Sequence, residues 1–243
     1  MKEVRPYEEL EESKKGQVSK MFNTIAPHYD FLNHLLSLGI DKKWRKKAID
    51  HLSDLKDPNL ILDIATGTAD VAIAIAKRIK PKQIIGVDIA REMLDIGDKK
   101  ILKDQLHETI SLELGDSENL RFEDNVADAA TVAFGVRNFE NVPKGLQEIH
   151  RVLKPGGKLV VLEFSKPTIF PLKQLYNTYF KYVLPFIGKV TSKDPKAYKY
   201  LYESVQAFPD GKAFTDLLQE RGFKNTTWQP LTLGICTIYT GIK

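Results

Sequence analysis

From residue 59 onward, short apolar runs alternate with longer stretches in which apolar residues recur every three or four positions. Residues 59–64, NLILDI, form the kind of unbroken run expected of a parallel strand buried on both faces. A turn follows, Ala65-Thr66-Gly67-Thr68, and then DVAIAIAKRIK over residues 70–80, a helix stopped by Pro81. The pattern predicts a second strand over 83–88 and a helix from about 91 to 105, with Met93, Leu94, Ile101 and Leu102 on one face. Third and fourth strands are expected over 110–114 and 127–134, and a helix over 142–152 with Pro143 in its first turn. Lys154-Pro155-Gly156-Gly157 reads as a turn before a fifth strand over 158–164. Near the end, Pro209-Asp210-Gly211 introduces a helix from 212 to about 221, closed by Gly222. Strands over about 226–230 and 235–240, turning around Leu233-Gly234, then form a closing antiparallel hairpin.

Strands alternating with helices in this way predict an α/β fold, with a parallel sheet and helices on both faces. Ligands of such sheets bind at the carboxyl ends of the strands, so chemistry is sought at the tails of strands one, two and four. Two regions lie outside the alternation. Residues 1–20 read as a polar arm, and 21–55 as a helical cap carrying Phe22, Tyr29, Asp30, Asn33 and His34. An insertion at about 166–208 reads as a lid, with Leu172, Leu175, Tyr176, Tyr179, Phe180 and Val183 at the spacing of one helix face. Residues 21–243 are thus expected to form a single domain.

Composition narrows the classes. A chain of 243 residues with 42% hydrophobic and 28% charged residues is ordinary globular usage, which excludes wholesale disorder. The net charge of +4 is spread along the chain and gives no support for nucleic-acid binding. A single cysteine, Cys236, excludes an internal disulfide and a multi-cysteine metal site, and the five histidines show no ligand spacing, so no metal is expected. The opening MKEVRPYEELEESKKG has no apolar core of a signal peptide. The densest apolar region, 164–187, is interrupted by Lys166, Lys173, Lys181 and three prolines, so it does not read as a membrane span. A cytoplasmic protein, peripheral at most to the inner face of a membrane, is expected.

The candidate chemistry begins at DIATGTAD, residues 63–70, where strand, tight turn and helix succeed one another. Gly67 allows close approach of a ligand to the backbone. Asp88 ends the second strand 21 positions later, where a carboxylate can accept hydrogen bonds from both hydroxyls of a ribose. The dinucleotide fingerprint G-x-G-x-x-G is absent, since Ala69 and Ala72 replace its later glycines. A ribose-bearing ligand without phosphates fits better, and S-adenosylmethionine is the candidate. Asp116, in the Gly115-Asp116-Ser117-Glu118 cluster, reads either as an acceptor for an adenine amino group or as an ordinary turn cap. Phe134-Gly135-Val136-Arg137-Asn138-Phe139 puts a guanidinium and an amide at the ligand edge of the sheet. No Gly-x-Ser-x-Gly elbow is present, which leaves hydrolase chemistry without support.

These motifs resemble those of the ubiquinone/menaquinone biosynthesis C-methyltransferases. The likeness runs from about residue 18 to the end. It is carried by VSKMFNTIAPHYDFLNHLLSLGIDKKWRKKAI, ILDIATGTADVAIAIA, GVDIAREML, TVAFGVRNF, RVLKPGGKLVVLEFSKP, LPFIG and DPKAYKYLYESVQAFPD. FGVRN, LEFSKP and YDFLN are its most specific parts. The resemblance implies a class I, Rossmann-like methyltransferase with a seven-stranded, mostly parallel sheet. It implies S-adenosylmethionine as cofactor and a polyprenylated quinol as the acceptor of a methyl group on a ring carbon. By position it assigns Asp63, Gly67, Thr68, Asp88, Asp116 and Ser117 to the cofactor, Tyr29, Asp30 and Asn33 to a segment closing over the substrate, and Arg137 and Asn138 to catalysis. Two departures stand out. Ala69 occupies a usual glycine position, and Ala133 a position where some members have a serine touching the cofactor.

A ring carbon attacks well only after the neighbouring hydroxyl, of ordinary pKa about 10, gives up its proton. Arg137 is expected to stabilise the phenolate, aided by Asn138. Lowering that pKa by roughly two units takes about 2.7 kcal/mol. Arginine is no base at neutral pH, so water or His28 is expected to take the proton. The apolar tail of the acceptor implies membrane contact, for which the 172–183 stripe is one candidate and packing against the core or a homodimer partner the other. Rival readings are a methyltransferase for another small phenolic or sterol acceptor, a nicotinamide oxidoreductase, and a non-catalytic subunit of a quinone-synthesis complex.

Overall fold

Seven strands form one sheet: β1 (Leu60–Ile64), β2 (Gln83–Asp88), β3 (Ile110–Leu114), β4 (Ala127–Ala133), β5 (Leu153–Phe164), β6 (Lys224–Leu231) and β7 (Cys236–Ile242). Their order in the computed structural model, which describes residues 4–7, 9–37, 39–178 and 195–243, is β3-β2-β1-β4-β5-β7-β6. Strands β1 to β5 are parallel to their neighbours, while β7 runs antiparallel to β5 and β6 antiparallel to β7. This is the expected α/β sheet with its closing hairpin, the last strand slotted inside the sixth. The direction of winding reverses between β1 and β4, and that crevice is where α/β sheets bind ligands.

Eight helices are described: α1 (Lys14–Leu36), α2 (Asp41–Asp50), α3 (Asp70–Arg78), α4 (Arg91–Lys103), α5 (Val142–Val152), α6 (Leu172–Thr178), α7 (Pro195–Ala207) and α8 (Lys212–Glu220). They cover both faces. On one, Leu146 and Ile149 of α5 and Phe214 and Leu218 of α8 pack against Val132, Val161 and Tyr239. On the other, Trp44 and Ile49 of α2 and Ala72 and Ile75 of α3 pack against Ile61, Ile84 and Val160. Within helices, the side chains of residues 31–36, 172, 175, 177, 195 and 198 also lie outside the described part. The apolar stripe expected over 172–183 therefore falls largely outside it. Tyr176, which is described, is buried against Val18, Met21 and Tyr200.

Two local expectations change. The Lys154–Gly157 turn is absorbed into β5, because Gly156 adopts φ +82° and pairing continues through it: Gly156 N–H donates to Lys243 O and Lys243 N–H to Gly157 O, both at 3.0 Å. The polar residues 14–20 are helix, with Lys14, Gln17 and Val18 buried. Their polarity is spent internally. Gln17 Nε2 donates to Leu10 O and Glu12 O, and Lys14 Nζ donates to Arg137 O and Phe139 O, so composition alone misplaces them at the surface. Among the described residues no helix is long and apolar enough to cross a membrane, and no cluster of His, Cys, Asp and Glu is suited to a metal ion.

Candidate functional site

The loop after β1 is built from left-handed residues: Ala65, Gly67 and Ala69 have φ of +55°, +57° and +64°. Two of these are not glycine, and each such residue is held against an intrinsic cost of about 1–2 kcal/mol. Asp63 anchors the loop from below. It is buried, accepts hydrogen bonds from Thr66 Oγ1 at 2.7 Å and Thr131 Oγ1 at 2.6 Å, and burial pushes its carboxyl up to about 6. Its oxygens thus serve the loop, and it does not form part of the cleft wall. Asp88 does. Its Oδ2 accepts from Gly67 N–H at 2.8 Å and its Oδ1 from Ala90 N–H at 2.9 Å, and it lines the cleft. Burial raises the Asp88 pKa, opposed by these backbone bonds.

The cleft opens to solvent. Its floor is the loop after β1, one end is Asp116 and Ser117 after β3, and the other is Asn138 after β4. Its roof is α1, which contributes Lys15, Phe22 and Tyr29. Tyr29 meets Phe22 edge-on at 5.8 Å, and a Cβ placed on Gly67 would lie 4.0 Å from Tyr29 Cε1. The space beneath Tyr29 is thus a cradle that a larger residue at position 67 would begin to fill. Asp116 accepts from Lys15 Nζ at 2.5 Å through Oδ2 and from Glu118 N–H at 2.9 Å through Oδ1.

Thr68 and Asp30 lie behind the cradle. Thr68 is buried, donates from Oγ1 to Asp30 Oδ1 at 2.6 Å and accepts from Lys100 Nζ at 2.9 Å. Lys100 also pairs with Asp30 and Asp70, and Asp70 with Arg45, so α1, α2, α3 and α4 meet in one charged network. These two residues therefore position the roof and do not line the cleft. The side chain of Asn33 lies outside the described part. His28 is exposed on α1 and is absent from the cleft wall.

Arg137 is where expectation and structure differ most. It is buried and directed into the protein: Nη1 donates to Glu163 Oε1 at 2.7 Å and to Phe134 O at 2.5 Å, and Cζ lies 5.5 Å from the centre of the Phe164 ring. Glu163 is wholly buried; burial raises its pKa and Arg137 opposes that shift. The cation is compensated, which a reading of FGVRN by itself does not reveal. Arg137 Nε has no hydrogen-bond partner among the described residues. Asn138 lines the cleft, with its Oδ1 accepting from Tyr200 Oη at 3.1 Å and its Nδ2 donating to Phe134 O at 3.3 Å. Gly135 has a steric reason, since a Cβ there would lie 2.5 Å from Ala65 Cβ, across the contact between the two loops.

The structure thus brings Gly67, Asp88, Asp116, Ser117, Asn138 and Tyr29 to one cleft and sets Asp63, Thr68, Asp30 and Arg137 just behind it. Three site residues escaped the sequence reading. Lys15 lay in the apparent arm. Glu163 carried a signal, a lone carboxylate inside the buried run LVVLEF. Tyr200 sits in an insertion with no periodicity that marks its partner.

The cleft suits a ribose-bearing ligand, with carboxylates for hydroxyls and for an amino group and without a phosphate cradle, since the Gly67 N–H is already bonded to Asp88. Comparison with known proteins agrees. The profile of the ubiE/COQ5 methyltransferase family matches residues 9–243. A demethylmenaquinone methyltransferase of Bacteroides fragilis is 48% identical over 240 residues, covering 99% of this chain and 97% of that protein. A ubiquinone/menaquinone biosynthesis C-methyltransferase of Geotalea daltonii is 45% identical, covering 95% of this chain and 98% of that one. Among solved structures, a SAM-dependent methyltransferase from Thermotoga maritima superposes with a TM-score of 0.63 at 20% identity, covering 93% of this chain and 99% of that one. At that identity the likeness concerns the fold.

Proposed function

This chain belongs to the ubiE/COQ5 methyltransferase family, and from that premise we propose that it methylates a ring carbon of a polyprenylated quinol in quinone biosynthesis, with S-adenosylmethionine as cofactor. The observation that carries the reading is the single cleft joining Asp88, Asp116 and Asn138 under Tyr29. Bound there, S-adenosylmethionine supplies an electrophilic methyl group. Asp88 holds the ribose hydroxyls, Asp116 with Ser117 receives the adenine edge, and the Gly67 turn gives the backbone room. Asp63, Thr66 and Thr131 keep that turn in its left-handed form.

The acceptor lies at the Asn138 end. The Tyr200 hydroxyl, kept neutral by burial, donates to Asn138 Oδ1 and so fixes the amide, whose Nδ2 places one proton on Phe134 O and keeps the other for the acceptor. The Arg137–Glu163 pair is a buried dipole behind it. Its net stabilisation of a phenolate is smaller than that of a free cation and is exerted from behind the cleft wall, so Asn138 Nδ2 is the direct donor. The exposed His28 is out of place to take the proton, and water in the open cleft receives it. Tyr29 and Asp30 close the roof, and the prenyl tail requires contact with a membrane surface.

The test is a methyl-transfer assay with isotope-labelled S-adenosylmethionine and two reduced acceptors, a demethylmenaquinol and the benzoquinol precursor of ubiquinone. Ring-methylated, labelled product from either supports the reading and names the quinone. Confirmed cofactor binding with no product from either overturns it.

A further inference from the structure

Among the described residues, Lys15, Lys77, Lys100, Lys154, Lys158 and Lys212 pair with carboxylates, while other lysines, scattered along the chain, make no ion pair. Helix α2, DKKWRKKAID, gathers four of the latter within six residues. Lys42, Lys43, Lys46 and Lys47 are exposed, and among the described residues none makes an ion pair. At 100° per residue they cover an arc of about 140°, flanked by the buried Trp44 and Ala48 beyond Lys47 and by the buried Ile49 beside Lys42. An uncompensated row of cations beside a neutral surface would be unremarkable solvation. This row borders an apolar corner instead.

Trp44 Nε1 donates to Thr232 Oγ1 at 2.7 Å, fixing α2 to the turn over Thr232–Gly234. Leu233 projects from that turn with 68% of its surface exposed. Ser165 Oγ donates to Gly234 O at 2.8 Å, which ties the same turn to the segment leading to Ile169 and Phe170, 60% and 76% exposed. A Cβ on Gly234 would lie 3.5 Å from Pro167 Cα, so the two segments are in contact. Three of the six large apolar side chains exposed among the described residues are therefore carried by two touching segments at the edge of α2.

We propose that this face, the lysine row of α2 with Leu233, Ile169 and Phe170, docks on an anionic phospholipid bilayer. Lipid is favoured by the combination. Headgroup phosphates compensate the row of charges, while aliphatic and phenyl side chains enter the acyl boundary. A nucleic acid would answer the lysines and offer nothing to leucine or isoleucine. The placement has a consequence that rests on the function proposed above. Trp44 packs on Phe134 at 6.4 Å between ring centres, and Phe134 lines the cleft. The bilayer would then meet the protein one side chain behind the cleft wall, where an acceptor's tail can stay in lipid while its ring reaches Asn138.

Flotation of the full chain with vesicles tests the docking directly. One set is phosphatidylcholine alone and the other contains phosphatidylglycerol. The protein is expected to float with the anionic vesicles only and to be released as salt rises. Lys42→Gln/Lys43→Gln/Lys46→Gln/Lys47→Gln removes exposed charge without touching the cleft, and should weaken binding by up to roughly a thousandfold. Phe170→Ser/Leu233→Ser should weaken it severalfold at unchanged salt dependence. Both variants should keep wild-type cofactor affinity, which shows that they fold. No flotation, equal flotation on neutral vesicles, or wild-type flotation of the lysine variant overturns the proposal, as does RNA binding without vesicle binding. Flotation with no methyl transfer to any quinol would leave the docking face standing and remove the proposed reaction.

Discussion

Glu163 Oε1 lies 2.7 Å from Arg137 Nη1, and neither side chain is open to solvent. The same carboxylate also takes the backbone N–H of Arg137 at 3.3 Å and of Phe164 at 2.9 Å, so β5 fixes both the charge and the backbone of the Val136–Asn138 turn. The pair is a structural unit in which Arg137 Nε, buried, has no hydrogen-bond partner among the described residues.

That arrangement separates stability from turnover. Arg137→Ala leaves Glu163 buried without its partner and should destabilise the protein by about 3–5 kcal/mol. The double variant Arg137→Met/Glu163→Leu removes both charges and should regain most of that loss. Methyl transfer should be absent in both. Urea unfolding read beside the labelled assay checks this, and a double variant that turns over would reduce Arg137 to a packing role.

Asp63 makes stability depend on pH in an unusual direction for a carboxylate. Its folded pKa of about 6 exceeds the ordinary 3.8, so between those values the folded chain holds a proton that the unfolded chain releases. Its contribution is complete below pH 3.8 and is lost as pH rises through about 6. The shift corresponds to about 3 kcal/mol. Asp63→Asn cannot titrate. Its stability relative to wild type should therefore rise by about that amount from pH 4 to pH 7, as measured by urea midpoints at both.

Asp88 and Asp116 should report on the cofactor. Asp88→Ala removes the acceptor of two backbone N–H groups as well as the expected ribose contacts, and should weaken S-adenosylmethionine by about 2–3 kcal/mol. Asp116→Ala should cost about 1–2 kcal/mol, since Ser117 remains. Titration calorimetry distinguishes the two. Equal affinities in wild type and both variants would show that the cofactor binds elsewhere.

Ala69 caps α3 in the left-handed region at φ +64°, and its methyl packs closely on Gly97, where a Cβ would lie 3.2 Å from Ala69 Cβ. Ala69→Gly relieves about 1–2 kcal/mol of backbone strain and gives back about 0.5–1 kcal/mol in unfolded-chain entropy. A small gain in thermal midpoint is expected. Gly97→Ala should act in the opposite sense and lower it, because its Cβ would also press on Leu112 Cδ1 at 2.7 Å.

The strands were legible because a parallel strand covered on both faces must be apolar throughout, as Ile61, Leu62 and Ile64 are. The loop after β1 and Asp88 were legible because their spacing is set by one strand–helix–strand unit. Partners distant in sequence were not. Nothing near Arg137 announces Glu163, 26 residues on, and nothing near Asn138 announces Tyr200, 62 residues on. Lys15 was hidden for another reason. A buried lysine row and a solvated one look alike until the carboxylates and carbonyls that receive them are placed, here Asp116 for Lys15 and the carbonyls of Arg137 and Phe139 for Lys14.

Helix α1 is fastened at its front through Lys15 to Asp116 and at its rear through Asp30 to Thr68 and Lys100, with Pro27 between the two attachments. Proline donates no hydrogen bond to the turn before it, so the helix is weakest between its own two anchorages. The roof is accordingly a strip pinned along its front, where Lys14, Ser19 and Asn23 add to the hold of Lys15, and again behind its crease by Asp30. A bend taken up at the crease would carry Tyr29 with the rear part while the front stays sewn to the sheet.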